Sequence, residues 1–165
     1  MQRHWILIGS VLGALAVGLG AFGAHGLVGF LSERHADDPA LLARRLDNWD
    51  TAAIYQMHHA IATVLVGVVG LFRRSKWLTV AGFGFLLGAL LFSGSLYALV
   101  LLEIPVLGAI TPLGGIGFII GWLALAIGGC CMSNGLTQIE GLQKGSGKPG
   151  SAVETGNPFQ TTTQN

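Results

Sequence analysis

The sequence contains few charged side chains. Asp, Glu, Lys and Arg make up 10% of its 165 residues, whereas a typical soluble domain has about 25%. Hydrophobic residues make up 52%, which argues against a water-soluble globule. The net charge of +1 leaves no basic excess to contact phosphates, so nucleic-acid binding is not expected.

Cysteine and the common catalytic patterns are also scarce. The two cysteines, Cys130 and Cys131, are adjacent, so they cannot supply a disulfide framework or a zinc site. The long apolar segments contain no carboxylate, and the chain has no phosphate loop, Gly-x-Ser-x-Gly or His-Glu-x-x-His motif. From these patterns the sequence predicts no enzyme activity, no cofactor and no metal site, and only the histidines inside the spans keep a metal or haem as an alternative.

The charges that are present lie between long apolar segments. A membrane-spanning helix needs about 20 predominantly apolar residues, because each residue advances the helix by about 1.5 Å. The sequence predicts an all-α membrane protein, a bundle of four transmembrane helices. Their predicted bounds are 5–31, 51–72, 77–102 and 104–132.

Two polar segments complete the predicted organisation. Asp38 and Pro39 are typical of a helix start, and apolar residues up to Trp49 recur at helical spacing. This indicates an amphipathic helix at about 39–50, which either lies at the membrane interface or leads directly into the second span. The segment 133–165 is rich in Gly, Ser, Thr and Gln and is predicted to be a disordered tail that follows a membrane domain at 1–132.

Basic residues predict the orientation of the bundle. With four spans, one side of the membrane carries the N-terminus, the second loop and the tail, and the other side carries the first and third loops. The first side has six basic residues, Arg3, Arg73, Arg74, Lys76, Lys144 and Lys148, and the second has three, Arg34, Arg44 and Arg45. The positive-inside rule favours both termini in the cytoplasm.

Glycines recur at spacings that suit close helix packing. In lipid, helices associate through van der Waals contact, and small residues four apart let their backbones approach. Such spacing predicts a tight bundle, or a homo-oligomer of it. The candidate packing positions are Gly9, Gly13, Gly20, Gly84, Gly88, Gly117 and Gly121.

Eight of the polar side chains inside the spans form the candidate intramembrane cluster. They are His25, Tyr55, Gln56, His59, Ser93, Ser95, Tyr97 and Thr111. From the helical rise, His25, His59, Ser95 and Thr111 lie about 9 to 12 Å inside the boundary opposite the termini. Because an unpaired polar group in hydrocarbon costs several kcal/mol, we expect these side chains to face one another.

The cluster has several chemical interpretations. His25 and His59 could form an interhelical hydrogen bond that fixes helix register, or they could relay a proton, hold a metal or ligate a haem. Pro112 falls inside the predicted fourth helix, where it should kink or break it. Broken helices often line transporter sites.

Several motifs resemble one family of small membrane proteins. They are Gly-Ala-Phe-Gly-Ala-His-Gly-Leu at 20–27, Tyr-Gln-x-x-His at 55–59, Phe-Ser-Gly-Ser-Leu-Tyr at 92–97, Leu-Gly-Ala-Ile-Thr-Pro-x-Gly-Gly at 107–115, and Gly-Trp at 121–122. Their order resembles the YgdD/YwdK-like bacterial inner-membrane family, a domain of unknown function numbered four-two-three. The resemblance implies a four-helix multi-pass protein of the bacterial plasma (inner) membrane, with no established activity.

Three functional hypotheses remain open from the sequence. The first is a structural or accessory protein that packs against the helices of a second copy or of a partner membrane protein. The second is a small-solute or proton-coupled transporter or channel that uses the polar cluster, with an unidentified ligand. The third is a haem- or quinone-binding protein that uses His25 and His59. In all three the surrounding partner is the lipid bilayer.

Overall fold

The computed structural model describes residues 2–72 and 75–145. Within them every regular element is helical, and four helical segments are long and apolar enough to cross a membrane. These segments are Arg3–Arg34, Pro39–Phe72, Lys76–Leu102 and Pro105–Cys130. The predicted four-helix membrane architecture is confirmed.

The first span changes its helical winding partway along. It begins as α1 (Gln2–Phe22), passes through a π-helical turn (Gly23–Leu27) and continues as α2 (Val28–Arg34). The turn lies where the ring of Trp49 meets the backbone, and a Cβ at Gly23 would lie 2.5 Å from that ring. Single π-helical turns often occur at functional sites, and this one was not predicted.

The second span belongs to the continuous helix α3 (Pro39–Phe72). The Asp38 carboxylate accepts a 2.9 Å hydrogen bond from the backbone N–H of Leu41, as expected of a helix cap. The predicted amphipathic segment runs directly into the span, which is one of the two arrangements that the sequence allows. No glycine or proline lies between Pro39 and Gly67 to interrupt the helix.

Helix α4 (Lys76–Leu102) ends at Glu103, and the chain then turns into the last span. Glu103 has a φ of 59°, in the left-handed region that ends helices, and its carboxylate lies 3.2 Å from the ring of His35. A short 3-10 helix (Pro105–Ala109) follows, and α5 (Thr111–Gly145) begins at Thr111.

The position of Pro112 corrects one prediction. A kink inside a helix at 104–132 was expected, but Pro112 lies in the first turn of α5, and the break precedes it. A proline is well tolerated in the first turn of a helix, because the N–H groups there have no intrahelical acceptor. The helix break is therefore present, but as a boundary between two helices.

The end of α5 also differs from the prediction. The helix continues to Gly145, whereas residues 133–145 were predicted to be part of a disordered tail. This segment contains good helix formers, including Leu136, Glu140 and Leu142, which the overall polar composition obscures. The chain divides into two units, Met1–Met132 and Ser133–Asn165. The rest of the predicted tail, 146–165, lies outside the described residues.

Two groups of buried side chains form the core of the membrane unit. One group includes Trp5, Phe85 and Phe118, and the other is built around Leu31 and Trp49. Large apolar side chains on the outer faces of the helices are exposed, as expected of a surface that contacts lipid.

Close helix contacts explain most of the predicted packing glycines. A Cβ at Gly84 would lie 2.9 Å from the carbonyl oxygen of Gly117, and one at Gly9 would lie 2.7 Å from that of Ala60. Each added methyl would force two helix backbones apart. Gly88 and Gly121 also have neighbours too close for a side chain, and a Cβ at Gly117 would make tight contacts at 3.2 Å. Gly13 and Gly20 have only ordinary contacts at 3.8 and 3.9 Å.

Candidate functional site

His59 is the best-connected polar side chain inside the spans. It lies on α3, is 6% exposed, and its Nδ1 is 2.7 Å from the backbone carbonyl oxygen of Tyr55. The indole N–H of Trp122 on α5 donates to Nε2 over 3.2 Å. Since a carbonyl accepts and an indole N–H donates, these partners select the neutral ring with its proton on Nδ1.

Aromatic rings enclose the same imidazole. Its plane stacks on the ring of Phe118 with a centroid distance of 3.4 Å and an angle of 7°, and Phe85 lies 5.7 Å away. The hydroxyl of Thr63 donates to the backbone carbonyl of His59 over 2.7 Å. These contacts join α3 to α4 and α5. Both ring nitrogens of His59 are engaged in hydrogen bonds, so neither is free to exchange a proton or to coordinate a metal.

His25 does not join this site. It lies in the π-helical turn of the first span with an exposed side chain, and it makes no side-chain hydrogen bond within the described residues. The predicted pairing of His25 with His59 is therefore wrong. The depth calculation placed both side chains at a similar level, but it did not determine the direction in which each points.

Gln56 and Tyr55 make separate contacts. The side-chain amide of Gln56 is buried and donates to the backbone carbonyl of Leu12 over 2.9 Å, which links α3 to α1. Tyr55 is 42% exposed, and its ring stacks on Phe92 at 4.6 Å. Gln56 thus joins α3 to α1, and Tyr55 joins α3 to α4, as His59 also does through Phe85.

The hydroxyl groups of α4 divide into two kinds. Ser95 and Thr111 share a 2.9 Å hydrogen bond that joins α4 to the start of α5. The hydroxyls of Ser93 and Tyr97, one turn apart, are buried without a hydrogen-bond partner among the residues that the structure describes. The eight predicted residues thus form several separate contacts, and they do not assemble into one polar layer.

Two residues with buried interhelical hydrogen bonds, Trp49 and Arg45, were not among the predicted site residues. Trp49 is 1% exposed, donates from its indole nitrogen to the Leu19 carbonyl over 2.8 Å, and packs 4.6 Å from the ring of Tyr97. Its position in an amphipathic pattern indicated burial but not this hydrogen bond.

Arg45 is a buried cation, only 8% exposed. Its guanidinium donates to the carbonyl oxygens of Leu99 and Val100 over 3.0 and 3.3 Å. These carbonyls lie in the last turn of α4, where backbone acceptors lack intrahelical donors and a positive charge is favoured. The sequence offered one signal, an arginine one turn before Trp49 on the same helix face.

A cavity of about 540 Å³ opens beside Arg45. It lies between the first turns of α3, the end of α4 and the start of α5, at the end of the bundle opposite the N-terminus. Its polar lining comes from Arg44, Arg45, Asn48, Glu103 and Thr111. Of the predicted cluster, Thr111 alone is among the lining residues.

The described residues contain no group of three or more His, Cys, Asp or Glu side chains placed to hold a metal ion.

The fold and the polar contacts together define a class: a multi-pass helical membrane protein whose spans are joined by hydrogen bonds and glycine contacts. Comparison with known proteins identifies the family.

The chain belongs to the family of proteins of unknown function DUF423, whose family model matches residues 19–115. The matched segment contains the π-helical turn, Trp49, His59 and the Ser95–Thr111 contact. The resemblance that the motifs predicted is confirmed.

Curated relatives are named as membrane proteins. The chain is 44% identical over 126 residues to a UPF0382 membrane protein of Staphylococcus aureus (strain bovine RF122 / ET3-1), which covers 76% of this chain and 94% of the relative. It is 40% identical over 133 residues to the UPF0382 membrane protein YwdK of Bacillus subtilis (strain 168), which covers 76% of this chain and 95% of the relative. No solved structure matches the chain.

Proposed function

We propose that this protein is a structural or accessory membrane protein, without catalytic activity of its own, that acts by packing its first span against a second copy of the chain. The observation that carries the proposal is the exposed side chain of His25 within that span. Ionisable groups at membrane depth almost always face protein or a water-filled cavity, since exposure to hydrocarbon is costly.

The surface around His25 suits another helix better than lipid tails. Ala14, Gly18, Ala21 and Gly29 are exposed at spacings of three or four residues along the same span as His25. Gly18 and Gly29 have no neighbouring atom within 4 Å of an added Cβ. We call these five residues, which extend from α1 through the π-helical turn to α2, the α1 face. Small residues at such spacing let a second backbone approach closely.

A second copy is the occupant that this face fits. A neutral imidazole carries one donor and one acceptor, so the His25 ring of one chain can donate a hydrogen bond to the His25 ring of a second copy. A symmetric pair also places the same small residues opposite each other, as isologous interfaces require. The packing glycines Gly9 and Gly84 are occupied by contacts within one chain and are not free for this role.

The oligomeric state in mild detergent tests the proposal. We expect the wild-type protein to be a dimer and Gly18→Leu to be a monomer, because the leucine fills the space that the second helix needs. Gly129→Leu is the matched control: Gly129 also has open space around it but lies on α5, so this variant should remain dimeric. A monomeric wild type, or a Gly18→Leu dimer as stable as the wild type, would contradict the proposal.

A transport assay separates this role from the carrier hypothesis. The accessory role predicts that purified protein in liposomes supports no solute or proton flux above protein-free liposomes. A flux that is lost in His59→Ala and retained in His58→Ala would favour a carrier instead.

We also propose that the protein resides in the bacterial plasma membrane with both termini in the cytoplasm, which the six-to-three distribution of basic residues supports.

A further inference from the structure

The cavity beside Arg45 contains a positive charge with no acidic partner. Arg45 is more than nine-tenths buried, and within the described residues no carboxylate lies within 4 Å of it. Two backbone carbonyls contact its Nη1, and its Nε is buried without a hydrogen-bond partner in the described part of the chain. Burying a cation with so little compensation is costly, and an anion would relieve that cost.

The other polar groups at the cavity favour the same sign of ligand. Arg44 is exposed and adds a second positive charge to the lining. The α5 N-terminus, at Thr111 and Pro112, also lines the cavity and carries partial positive charge. Glu103 is the acidic member of the lining, and its carboxylate is paired with Arg34 at 3.8 Å and lies 3.2 Å from the ring of His35.

The remaining lining is apolar. Leu41 on α3 and Phe92, Leu96 and Leu99 on α4 line the same space as the two arginines. A small hydrophilic anion such as phosphate would leave this surface without a partner. An amphiphile, with an anionic head and a hydrocarbon part, would match both halves of the cavity.

The depth of the cavity along the membrane normal suits an amphiphile of the bilayer. Helix α3 has 34 residues and is about 51 Å long, so it extends beyond a hydrocarbon core of about 30 Å. The uncharged part of α3 begins at Thr51. Arg45 precedes Thr51 by about 9 Å along the helix axis, which places its guanidinium near the level of the lipid head groups.

We propose that this cavity binds the oxyanion head of an anionic amphiphile, a phosphate or carboxylate that contacts Arg45, with its hydrocarbon part against the leucines and Phe92. The site is on α3, α4 and the start of α5 and does not depend on pairing through the α1 face. Binding would compensate the buried guanidinium and tie the end of α4 to α3 and α5.

The test uses the full chain, stripped of lipid in a neutral detergent, with thermal unfolding as the readout. Dioleoylphosphatidylglycerol should raise the unfolding temperature in a saturable way, and dioleoylphosphatidylcholine should not. Oleate and inorganic phosphate distinguish the sources of the oxyanion. Stabilisation by phosphatidylglycerol or oleate supports the proposal, whereas equal stabilisation by phosphate alone, or by phosphatidylcholine, would overturn it.

Two variants locate the effect. Arg45→Gln should weaken phosphatidylglycerol binding at least tenfold, while Arg3→Gln, which removes the same charge from an exposed position in the first turn of α1, should bind as the wild type does. Because Arg45→Gln also loses bonds to α4, Leu41→Trp is the second variant: it keeps Arg45 and fills part of the cavity.

Leu7→Trp, at a position 64% exposed on α1, is the matched control for Leu41→Trp. We expect Leu41→Trp to unfold at the wild-type temperature without lipid and to lose at least tenfold in phosphatidylglycerol binding, with Leu7→Trp unchanged. Wild-type binding in both Leu41→Trp and Arg45→Gln, or no response of the wild type to any anionic amphiphile, would refute the site.

Discussion

At the scale of single residues, hydrogen bonds from side chains of one helix to side chains or backbone of another replace the water that a soluble protein would use. His59 accepts from Trp122, Gln56 donates to Leu12, and Trp49 donates to Leu19. Each bond joins two helices, and each fixes the rotation of one helix against the other. We infer that these side chains set the register of the helices inside the membrane.

The imidazole of His59 provides the first prediction at this scale. His59→Ala removes the hydrogen bond to Trp122 and the stack on Phe118. We therefore expect its unfolding temperature in detergent to be lower than that of the wild type. His58→Ala, an exposed neighbour on the same helix, should change it little. A double-mutant cycle with Trp122→Phe should give a coupling of about 0.6 kcal/mol, the average for interhelical hydrogen bonds in membranes. Equal stability of the two histidine variants would contradict a structural role for His59.

The sequence predicted which residues are polar inside the spans but not which of them meet. Depth follows from the helical rise, and it placed His59, Ser95 and Thr111 at one level; Ser95 and Thr111 do share a hydrogen bond. Direction depends on helix rotation, which the π-helical turn changes near His25. The burial of Arg45 depends on backbone carbonyls that lie 54 and 55 residues away in the chain, so it could not be predicted from the residues around Arg45.

At the scale of helices, the contact between α4 and α5 depends on glycine. Gly84 faces Gly117 and Gly121, so both backbones come within van der Waals contact. Hydropathy and glycine spacing predicted these helices and their packing positions, because length and small residues are local properties of the chain; which two helices meet was not predicted. The π-helical turn could not be predicted in the same way, since it coincides with a tertiary contact between Gly23 and Trp49.

Substitution at Gly84 tests the helix contact. Gly84→Ala places a methyl 2.9 Å from backbone atoms of α5, and overpacking of this kind costs about 1 to 3 kcal/mol. Gly94→Ala, on the same helix in open space, should be neutral or stabilising by up to about 1 kcal/mol, because alanine restricts the unfolded chain. Chemical unfolding in mixed micelles compares the two, and a Gly84→Ala variant as stable as Gly94→Ala would argue against close backbone contact there.

At the scale of the whole molecule, the bundle has two ends with different chemistry. The end opposite the N-terminus carries the cavity and its arginines, and the other end carries Arg3 and Lys76. If both termini are cytoplasmic, the cavity faces the outer leaflet. The orientation therefore decides which leaflet supplies the amphiphile.

A pair of fusions tests the orientation. Green fluorescent protein fused after Asn165 should fluoresce, because it folds in the cytoplasm, and alkaline phosphatase at the same position should be inactive. Phosphatase fused after Asp37, in the first loop, should be active and serves as the control. Active phosphatase after Asn165 would reverse the orientation and place the cavity at the inner leaflet.

The most direct measurement of the proposed function is disulfide cross-linking in native membranes. In a background with Cys130 and Cys131 replaced by serine, Ala14→Cys places one thiol on the α1 face, and Leu90→Cys places one at a position 57% exposed on α4. Packing through the α1 face predicts rapid dimer formation with Ala14→Cys under mild oxidation and little with Leu90→Cys. No dimer with Ala14→Cys, or equal dimer with both variants, would contradict it.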